Sequence, residues 1–465
     1  MVIGRVADAV GSAVGGAVDG VAGLFDPGLR LGVTGLARSG KTVFITSLVA
    51  NMIDRGRMPA LTASSRIEAA FLQPQPDDTV PRFEYESNLH TLTGPTPHWP
   101  DSTRAVSELR LSLRVRQGGM LSGLSGARVL HLDIVDYPGE WLLDLSLMDQ
   151  GFDAWSARAL TRLATWGVTS YADALAGIDP DGPFHEGDAQ TLARAYTVAL
   201  HAARDAGAYD LTPGRFLLPG EMDGSPVLTF APLPPGTDAR GTLRRELARR
   251  FAAYKAQVVR PFFRDHFARL DRQVVLLDVL GAIRRGPGAV AEMREAMTDL
   301  LRAFRPGRIG WLMSLAGLRR VDRILFAATK ADHLHHTQHA RLQAILEAMV
   351  RDARDRADFA GATTKALALA SLRTTTEETR EVGDETVAMI RGHLLDGRRV
   401  ALHPGALPED PMRLLGQARA GADGWGDGDY DLMDFAPAPG TLRRGEGPPH
   451  IRMDRAAEFL FGDRL

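Results

Sequence analysis

The chain has 465 residues, a formal net charge of −2 and no cysteine. This length is too great for one compact core, and it predicts two or three structural units or one domain with large insertions. The balanced charge argues against broad nucleic-acid binding, and the lack of cysteine excludes disulfides, thiolate catalysis and cysteine-bound metals and fits a reducing cytoplasm.

The first residues form a valine-, alanine- and glycine-rich segment. Val6, Val10, Val14 and Val18 recur every four residues, which predicts a weak amphipathic helix. We interpret it as a loosely docked terminal helix, with a membrane-surface anchor as the alternative. No stretch approaches the roughly 18 apolar residues that a membrane span needs. A cytoplasmic protein is therefore predicted, with peripheral attachment at the inner membrane left open.

Short apolar runs alternate with helical patterns along most of the chain. The runs that predict strands span residues 30–34, 109–115, 129–135, 274–280, 324–328 and 366–370. The helical patterns span residues 41–53, 290–304 and 335–351. Strands that alternate with helices indicate a mainly parallel sheet covered on both faces, so the predicted fold class is α/β.

Three segments depart from this alternation. Residues 58–107 are rich in Pro, Thr and Asp and predict a long loop. Residues 140–270 have mainly helical patterns and predict an insertion. After residue 375, a strand-like pair at residues 386–390 and 398–402 precedes a stretch rich in Gly, Asp and Pro and a short helix at residues 454–461.

These patterns predict a discontinuous organisation. The expected core combines residues 29–139 and 271–375, which hold the alternating strands and helices. Residues 1–28 are an N-terminal extension, and residues 140–270 form the mainly helical insertion. Residues 376–465 are a C-terminal extension that we expect to pack on the core.

Lysine is scarce in this chain. The 55 basic residues include four lysines, at positions 41, 255, 330 and 365, and arginine fills the remaining positions. A compact ammonium and a guanidinium are not interchangeable. A lysine in such an arginine-rich chain can therefore indicate a position where the compact ammonium is needed. Lys41 and Lys330 lie in the motifs described next.

The first motif is a phosphate-binding pattern at residues 35–42, which matches glycine, four residues, glycine, lysine, threonine. Its glycines let backbone N–H groups turn inward around a phosphate, Lys41 supplies a charge between the terminal phosphates, and the Thr42 hydroxyl can bind Mg²⁺. The motif follows a predicted strand and opens a predicted helix, as it must. The predicted phosphate-side residues are Gly35, Arg38, Ser39, Gly40, Lys41, Thr42 and Val43.

The second motif lies at the end of the strand predicted at residues 129–135. There Asp136 is followed three residues later by Gly139, which resembles the aspartate–x–x–glycine motif of small regulatory GTPases. On that resemblance Asp136 is the metal-side acid, and Gly139 is the γ-phosphate sensor and the pivot of a switch. Glu140 stands where many such enzymes carry a water-positioning glutamine. Either this carboxylate orients the water, or the catalytic group comes from elsewhere.

The third motif, threonine–lysine–alanine–aspartate at residues 329–332, resembles the base-reading motif of GTPases. The Asp332 carboxylate can accept two hydrogen bonds from the N1 and N2 donors of guanine, a pair that adenine lacks. Lys330 would lie along the base. A fifth GTPase motif is expected just past the next strand. The predicted base-side residues are Thr329, Lys330, Asp332, Ser371 and Leu372.

A threonine that contacts Mg²⁺ is expected before the strand at residues 109–115. Thr103 is our choice, with Ser102 and Thr96 as alternatives. Arg38 could reach phosphate oxygens as a built-in arginine or point to solvent. The predicted catalytic residues are Lys41, Gly139, Glu140 and Arg38, and the predicted metal ligands are Thr42, Thr103 and Asp136.

A histidine cluster follows the third motif and includes His333, His335, His336 and His339. His335 and His339 have the i, i+4 spacing of metal ligands on a helix. The acidic residue that a zincin carries beside the first histidine is absent. We therefore interpret the cluster as the solvated start of a helix near the nucleotide base rather than as a metal site.

With these motifs in place, the sequence resembles the YcjX-like family of P-loop NTPases, once a domain of unknown function. The matching strings are LGVTGLARSGKTVFITSLV, LDIVDYPGEWLLDL, PFFRDHFARLDRQVVLLDVLGA, LFAATKADHLHHTQHARL and HIRMDRAAEFLFGDRL. They extend from about residue 31 to the C-terminus, so nearly the whole chain is covered.

The resemblance implies a Ras-like GTPase core with a helical insertion in a bacterial cytoplasmic protein. It also implies an association with envelope or phage-shock stress and a membrane protein of that stress group as a partner. Family labels often say ATPase, which conflicts with our interpretation of Asp332.

Together, the motifs and the resemblance predict a protein that binds guanine nucleotide and Mg²⁺ and hydrolyses GTP to GDP as a stress-response switch. ATP hydrolysis is one alternative, and a nucleotide-gated scaffold with negligible hydrolysis is another. No nucleic-acid partner is expected, and the oligomeric state is left open.

Overall fold

The computed structural model describes most of the chain. The described residues are 28–36, 38–101, 105–116, 127–266, 269–302, 321–359, 361–383, 385–420, 432–440 and 442–465. Thr103 and Ser102 lie outside them, as does the predicted N-terminal extension apart from Gly28.

A seven-stranded sheet forms the centre of the fold. Its strands are β1 (Leu29–Gly35), β2 (Ile67–Gln73), β3 (Ser107–Val115), β4 (Arg128–Asp136), β5 (Arg272–Leu277), β6 (Arg323–Ala328) and β7 (Thr363–Ala368). The spatial order is β2-β3-β4-β1-β5-β6-β7. Strands β4, β1, β5, β6 and β7 pair in parallel, and β2 and β3 are antiparallel additions at one edge. The predicted α/β fold with a mainly parallel sheet is confirmed.

Helices cover both faces of this sheet. They are α1 (Lys41–Ile53), α2 (Tyr85–Thr93), α3 (Gly139–Leu143), α4 (Phe152–Thr165), α5 (Ser170–Ala176), α6 (Glu186–Ala206), α7 (Gly214–Leu217), α8 (Leu243–Tyr254), α9 (Arg260–Asp265), α10 (Val279–Arg285), α11 (Pro287–Arg302), α12 (His339–Met349), α13 (Arg351–Phe359), α14 (Pro411–Ala420) and α15 (Met453–Phe461). In the part of the chain that the structure describes, none of them combines the length and the apolar character needed to cross a bilayer.

The central strands are apolar because both of their faces are covered. Every residue of β5 is buried, and so are five of the six residues of β6. A parallel strand between two helical layers is expected to read as a continuous apolar run, which is why these strands are visible in the sequence. Edge strand β2 has mostly exposed or half-buried residues, so it lacks that signal.

Two apolar clusters fill the space beside the sheet. On one face, α1 and the C-terminal helix α15 pack against the sheet in an apolar cluster that contains Phe44, Leu460 and Val274. On the other face, a single cluster joins sheet residues such as Phe326 to Trp155 and other residues of the predicted insertion. The helices of residues 140–270 therefore share one continuous core with the sheet.

The chain after residue 375 adds a small antiparallel sheet. Its strands are β8 (Thr376–Val382), β9 (Glu385–His393) and β10 (Arg399–Leu402), in the order β10-β9-β8. A segment at residues 432–436 continues along it, where Phe435 forms a bridge with Leu394. Phe435 is buried in a separate small cluster that also contains Ile390.

Three local predictions differ from the structure. The strand predicted at residues 274–280 ends at Leu277, because the Asp278 carboxylate caps α10 by accepting the N–H of Gly281 at 2.9 Å. The helix predicted at residues 335–351 begins only at His339, after a 3-10 turn. The loop predicted at residues 58–107 contains β2 and α2.

Candidate functional site

The sequence motifs converge at one edge of the sheet. Gly35 and Asp136 end the parallel strands β1 and β4, and the register places Val33 of β1 opposite Asp136. Thr329 directly follows β6, and Ser371 lies shortly after β7. Because the carboxyl ends of parallel strands meet at the same edge, these motifs share one crevice, where ligands bind in open α/β sheets.

The loop between β1 and α1 is folded tightly. Gly40 has a φ of 83°, in the left-handed region that favours glycine, and it immediately precedes α1. A Cβ atom on Gly35 would lie 2.3 Å from the Ser39 hydroxyl oxygen and 2.7 Å from the Leu276 carbonyl oxygen. Both positions therefore require glycine, and the loop wraps around the space at the N-terminus of α1.

The side chains of this loop differ in burial and in hydrogen bonding. The Lys41 ammonium donates to the Gly35 carbonyl oxygen at 3.2 Å, at the mouth of the loop. The Ser39 hydroxyl is buried and has no hydrogen-bond partner within the described residues. Arg38 is exposed, with a φ of 63°. Thr42 and Val43 are half-buried in the first turn of α1. A lysine and N–H groups at a helix start form an anion site.

The second motif lies directly against the first. Asp136 is buried at the end of β4, and the next residue, Tyr137, donates its N–H to the Val33 carbonyl at 3.3 Å. A Cβ atom on Gly139 would lie 1.8 Å from the Gly35 carbonyl oxygen. The backbone of Gly139 therefore touches the loop that the sequence assigns to phosphate.

Helix α3, which starts at Gly139, packs against the segment around Gly214, which lies farther along the predicted insertion. Glu140 is half-buried, and a Cβ atom on Gly214 would lie 2.2 Å from its carbonyl oxygen. The Arg215 guanidinium stacks over the Trp141 ring, 3.2 Å from its centroid. The sequence patterns gave no signal for these contacts, since the two segments are distant along the chain.

A buried carboxylate secures the end of α3. Asp144 accepts the N–H of Gly214 at 2.7 Å and the hydroxyl of Tyr254. Burial disfavours its ionised form and raises the pKa of Asp144 to about 7, although both hydrogen bonds and nearby Arg215 oppose that shift. The segment after Gly139 is therefore tied to the insertion by polar as well as aromatic contacts.

Lys330 of the third motif is surrounded by carboxylates. Its backbone is left-handed, with a φ of 60°. Its ammonium lies 2.7 Å from Asp278 and 3.6 Å from Asp434. Burial lowers the pKa of Lys330, but the two carboxylates outweigh it and leave the pKa raised. Asp434 also pairs with Arg284 at 2.6 Å, so the C-terminal segment contributes to this side of the crevice.

Asp332 is held in a fixed orientation. It is buried, and its Oδ2 atom accepts the N–H of Thr374 at 2.8 Å and the hydroxyl of Thr374 at 2.7 Å. Its carbonyl oxygen accepts the Thr375 hydroxyl. Ser371 and Leu372 are buried in the same segment. The structure thus brings Asp332 together with the segment after β7, through Thr374 and Thr375.

Residues that the motifs did not identify complete this side. The segment before β3, in which the sequence predicts the Mg²⁺-contacting threonine of switch I, approaches this side through Trp99, whose indole N–H donates to the Phe435 carbonyl at 2.9 Å. The Phe435 ring lies edge-on to His333, with centroids 5.1 Å apart. Asp278 follows a buried strand in the same way as Asp136, so that signal could have found it. Asp434 is far away in sequence and carries no local signal.

The chain is similar in sequence to known proteins. The model of the YcjX-like family matches residues 29–465. A relative from Escherichia coli (strain K12), named Ras-like GTPase YcjX, is 39% identical over 466 residues, covering 95% of this chain and 96% of the relative. A relative of the same name from Shewanella oneidensis is 33% identical over 470 residues, covering 95% of each protein.

Proposed function

The chain belongs to the YcjX-like family, and we propose that it binds GTP with Mg²⁺ and hydrolyses it to GDP. The observation that carries this proposal is the position of Asp332. Thr374 fixes its buried carboxylate through two hydrogen bonds. This carboxylate lies beyond the end of β6, at the same edge of the sheet as the loop that contains Lys41. A phosphate loop and an oriented carboxylate at one sheet edge suit a guanine nucleotide.

The loop at residues 35–42 would bind the phosphates. Lys41 would exchange its contact with the Gly35 carbonyl for phosphate oxygens, and the buried Ser39 hydroxyl would gain a partner. The glycine-dependent wrap of the loop supports this role, because its N–H groups face the ligand only if Gly35 and Gly40 lack side chains. Arg38 and Val43 would line the same loop, with Arg38 free to reach the phosphates.

The metal-side residues would be Asp136 and Thr42, with Thr103 as the switch-I ligand proposed from sequence. Carboxylate and hydroxyl oxygens are the ligands that Mg²⁺ prefers. Asp136 lies in register with Val33, so both donors are at the same end of β1. When bound, the ion would neutralise charge on the phosphates.

Hydrolysis would proceed by in-line attack of water on the γ-phosphate. The Gly139 N–H would contact the γ-phosphate, and the Glu140 carboxylate would orient the water. Lys41 and the loop N–H groups would stabilise the charge that develops. Intrinsic turnover should be slow, because no glutamine stands at position 140.

Base preference is tested by Asp332→Ala. We expect the wild-type chain to bind GTP and GDP more tightly than ATP, and the variant to lose about tenfold or more of its guanine affinity while ATP affinity stays the same. Affinities are measured by titration calorimetry, and ATP serves as the internal control. An unchanged base preference in Asp332→Ala would refute the assignment of Asp332 to guanine, and tighter binding of ATP than of GTP by the wild type would favour an ATPase. Identifying the nucleotide that co-purifies with the native protein gives an independent answer.

Hydrolysis is tested with Lys41→Ala and a matched lysine variant. Single-turnover phosphate release with Mg²⁺ should be abolished in Lys41→Ala. Lys365→Ala should retain it, because Lys365 is exposed on β7 and its ammonium lies over the Phe459 ring. Equal release from wild type and Lys41→Ala would refute an enzyme and support a nucleotide-gated scaffold.

We further propose that residues 29–139 and 271–375 form the nucleotide-binding core, with residues 140–270 as its insertion and residues 376–465 as an extension. The contacts of α3 with Gly214 support an insertion that responds to the crevice. A switch of this kind fits a role in envelope stress with a membrane-protein partner at the inner membrane. Pull-down with the protein locked in GTP- and GDP-bound forms tests for a nucleotide-dependent partner.

A further inference from the structure

A second group of potential ligands lies beside the base-side loops. His335, His336 and Glu377 each present a donor atom, and these atoms all lie within 4.8 Å of one another. The pair His335 and His339, which has metal-like spacing in sequence, does not form a site. His339 is buried in α12, and its Nε2 atom contacts the Leu334 carbonyl at 3.3 Å. The acid missing from the sequence pattern comes instead from β8.

The His335 ring is oriented for coordination. Its Nδ1 atom lies 3.0 Å from the Thr337 hydroxyl, which leaves Nε2 facing Glu377. Nε2 lies 3.7 Å from the Glu377 Oε2 atom, too far for a hydrogen bond. Donor atoms around a tetrahedral zinc ion lie roughly 3.3 Å apart, given bonds of about 2.0–2.1 Å. In metal-binding histidines the outer ring N–H typically donates a hydrogen bond, and the Thr337 hydroxyl can accept one from Nδ1 here. The Thr337 N–H also approaches Nδ1, at 3.5 Å, so zinc binding requires Nδ1 to carry the proton and to give up that longer contact.

The Glu377 carboxylate is also held from outside. Its Oε1 atom pairs with Arg373 at 3.5 Å, so Oε2 is the oxygen turned toward the two imidazoles. His336 approaches that oxygen through Nδ1 at 2.5 Å, and its side chain is 65% exposed. An exposed ring can rotate by the small amount needed to make room for an ion, and it leaves a further coordination position open to water.

The backbone on both sides of the group is fixed. The turn that carries His335 and His336 is secured by Gln338, whose side chain donates to the Gly405 carbonyl at 2.6 Å and accepts the Leu407 N–H at 2.7 Å. Glu377 lies in β8, paired with Ile390 of β9. Ligands held by separate, anchored segments make a site that exists before the ion arrives, which lowers the ordering cost of binding.

From this geometry we propose that His335, His336 and Glu377 bind a zinc-class divalent cation. Two imidazoles and one carboxylate form a donor set that suits borderline ions such as Zn²⁺, whereas Mg²⁺ prefers oxygen ligands alone. The ion would connect the turn after Asp332 to the strand after Thr374, the two segments that fix the Asp332 carboxylate. The site is separate from the phosphate side of the crevice, and it does not depend on nucleotide hydrolysis.

The test uses the tag-free full chain, stripped of metal with a chelator and titrated with ZnCl₂ alone at pH 7.5. Calorimetry should show one saturable equivalent of Zn²⁺ that excess Mg²⁺ does not displace. His335→Ala and Glu377→Gln should each weaken that binding by about tenfold or more. His403→Ala is the matched control. His403 is an exposed histidine of the C-terminal extension, which also contains Glu377, and its ring contacts the Ala388 carbonyl rather than the proposed ligands.

A second readout distinguishes lost ligands from lost folding. At one fixed zinc concentration, Zn²⁺ should raise the Tm of the wild-type chain and of His403→Ala, and it should raise the Tm of Glu377→Gln by clearly less, although glutamine keeps the shape of the carboxylate. If His335→Ala does not fold, the zinc affinity of Glu377→Gln decides the test. No saturable zinc binding by the wild type, or undiminished binding by Glu377→Gln, would overturn the proposal.

Discussion

Replacing Gly139 by alanine would place a methyl carbon 1.8 Å from the Gly35 carbonyl oxygen and 3.3 Å from the Leu36 Cα atom. Ordinary contact begins at 3.4 Å, so the two backbones would have to separate by about 1.6 Å. Neither partner is a flexible side chain that could rotate away. Overpacking of this kind costs about 1–3 kcal/mol. The Gly35 carbonyl also accepts a hydrogen bond from the Lys41 ammonium, so its displacement would disturb the lysine that we propose binds the phosphates.

The expected result for Gly139→Ala is a loss of about 1–3 kcal/mol in unfolding free energy and a fall in nucleotide affinity of up to about 150-fold. If α3 yields instead of the phosphate loop, affinity is kept and single-turnover hydrolysis falls. Chemical denaturation, calorimetry and phosphate release measure the three quantities. Gly416→Ala is the control, since among the described residues nothing lies within 4 Å of its added carbon; it should gain roughly 0.5–1 kcal/mol in α14. Wild-type values of all three quantities in Gly139→Ala would refute this reasoning.

Three further predictions concern buried polar groups. The pKa of Asp144 is raised to about 7, so the contribution of this group to the free energy of unfolding falls as pH rises toward 7. The stability of Asp144→Asn relative to wild type should therefore increase by about 1.4 kcal/mol per pH unit from pH 5 to 7 in urea unfolding. Arg272 is buried and pairs with Asp463 at 2.9 Å, so Arg272→Met should cost about 3 kcal/mol and expose the C-terminal helix to limited proteolysis; unchanged cleavage would contradict this. Thr374→Val removes one donor to Asp332 and should weaken guanine affinity by about 5- to 10-fold without changing ATP affinity, measured by calorimetry.

The features that the sequence predicts best are those set by local pattern. Helix α1 begins and ends at the predicted residues, because the glycine-lysine motif fixes its start and a regular apolar pattern fixes its length. Strands β5 and β6 were visible because burial on both faces makes them continuously apolar. Strand β8, by contrast, reads Thr-Glu-Glu-Thr-Arg-Glu-Val, and its polar composition gave no sign of a strand.

The residues of the candidate site also fall into those that a local sequence pattern predicts and those that only the folded structure shows. The residues of the Lys41 loop and the carboxylates Asp136 and Asp332 follow strands in known patterns, so spacing alone could propose them. Thr374 and Asp434 contribute through contacts that form only when the chain folds. Thr374 lies 42 positions from Asp332, and Asp434 is farther still from Lys330. No pattern within a short window can report contacts over such separations, so these partners are invisible in a single sequence.

Helix α3 is confined between two backbones. Gly35 touches it in front, at Gly139, and Gly214 touches it behind, at the Glu140 carbonyl. With glycine at both contacts, α3 packs closely against the backbone on either side, so we expect a displacement at one contact to be passed on to the other. A ligand that displaces the front contact would then move the segment around Gly214, and a protein that binds the outer surface of the insertion would displace the loop at residues 35–42 through the same helix. The same short helix would then carry the effect of a bound nucleotide to a partner protein, and the effect of that partner on nucleotide hydrolysis.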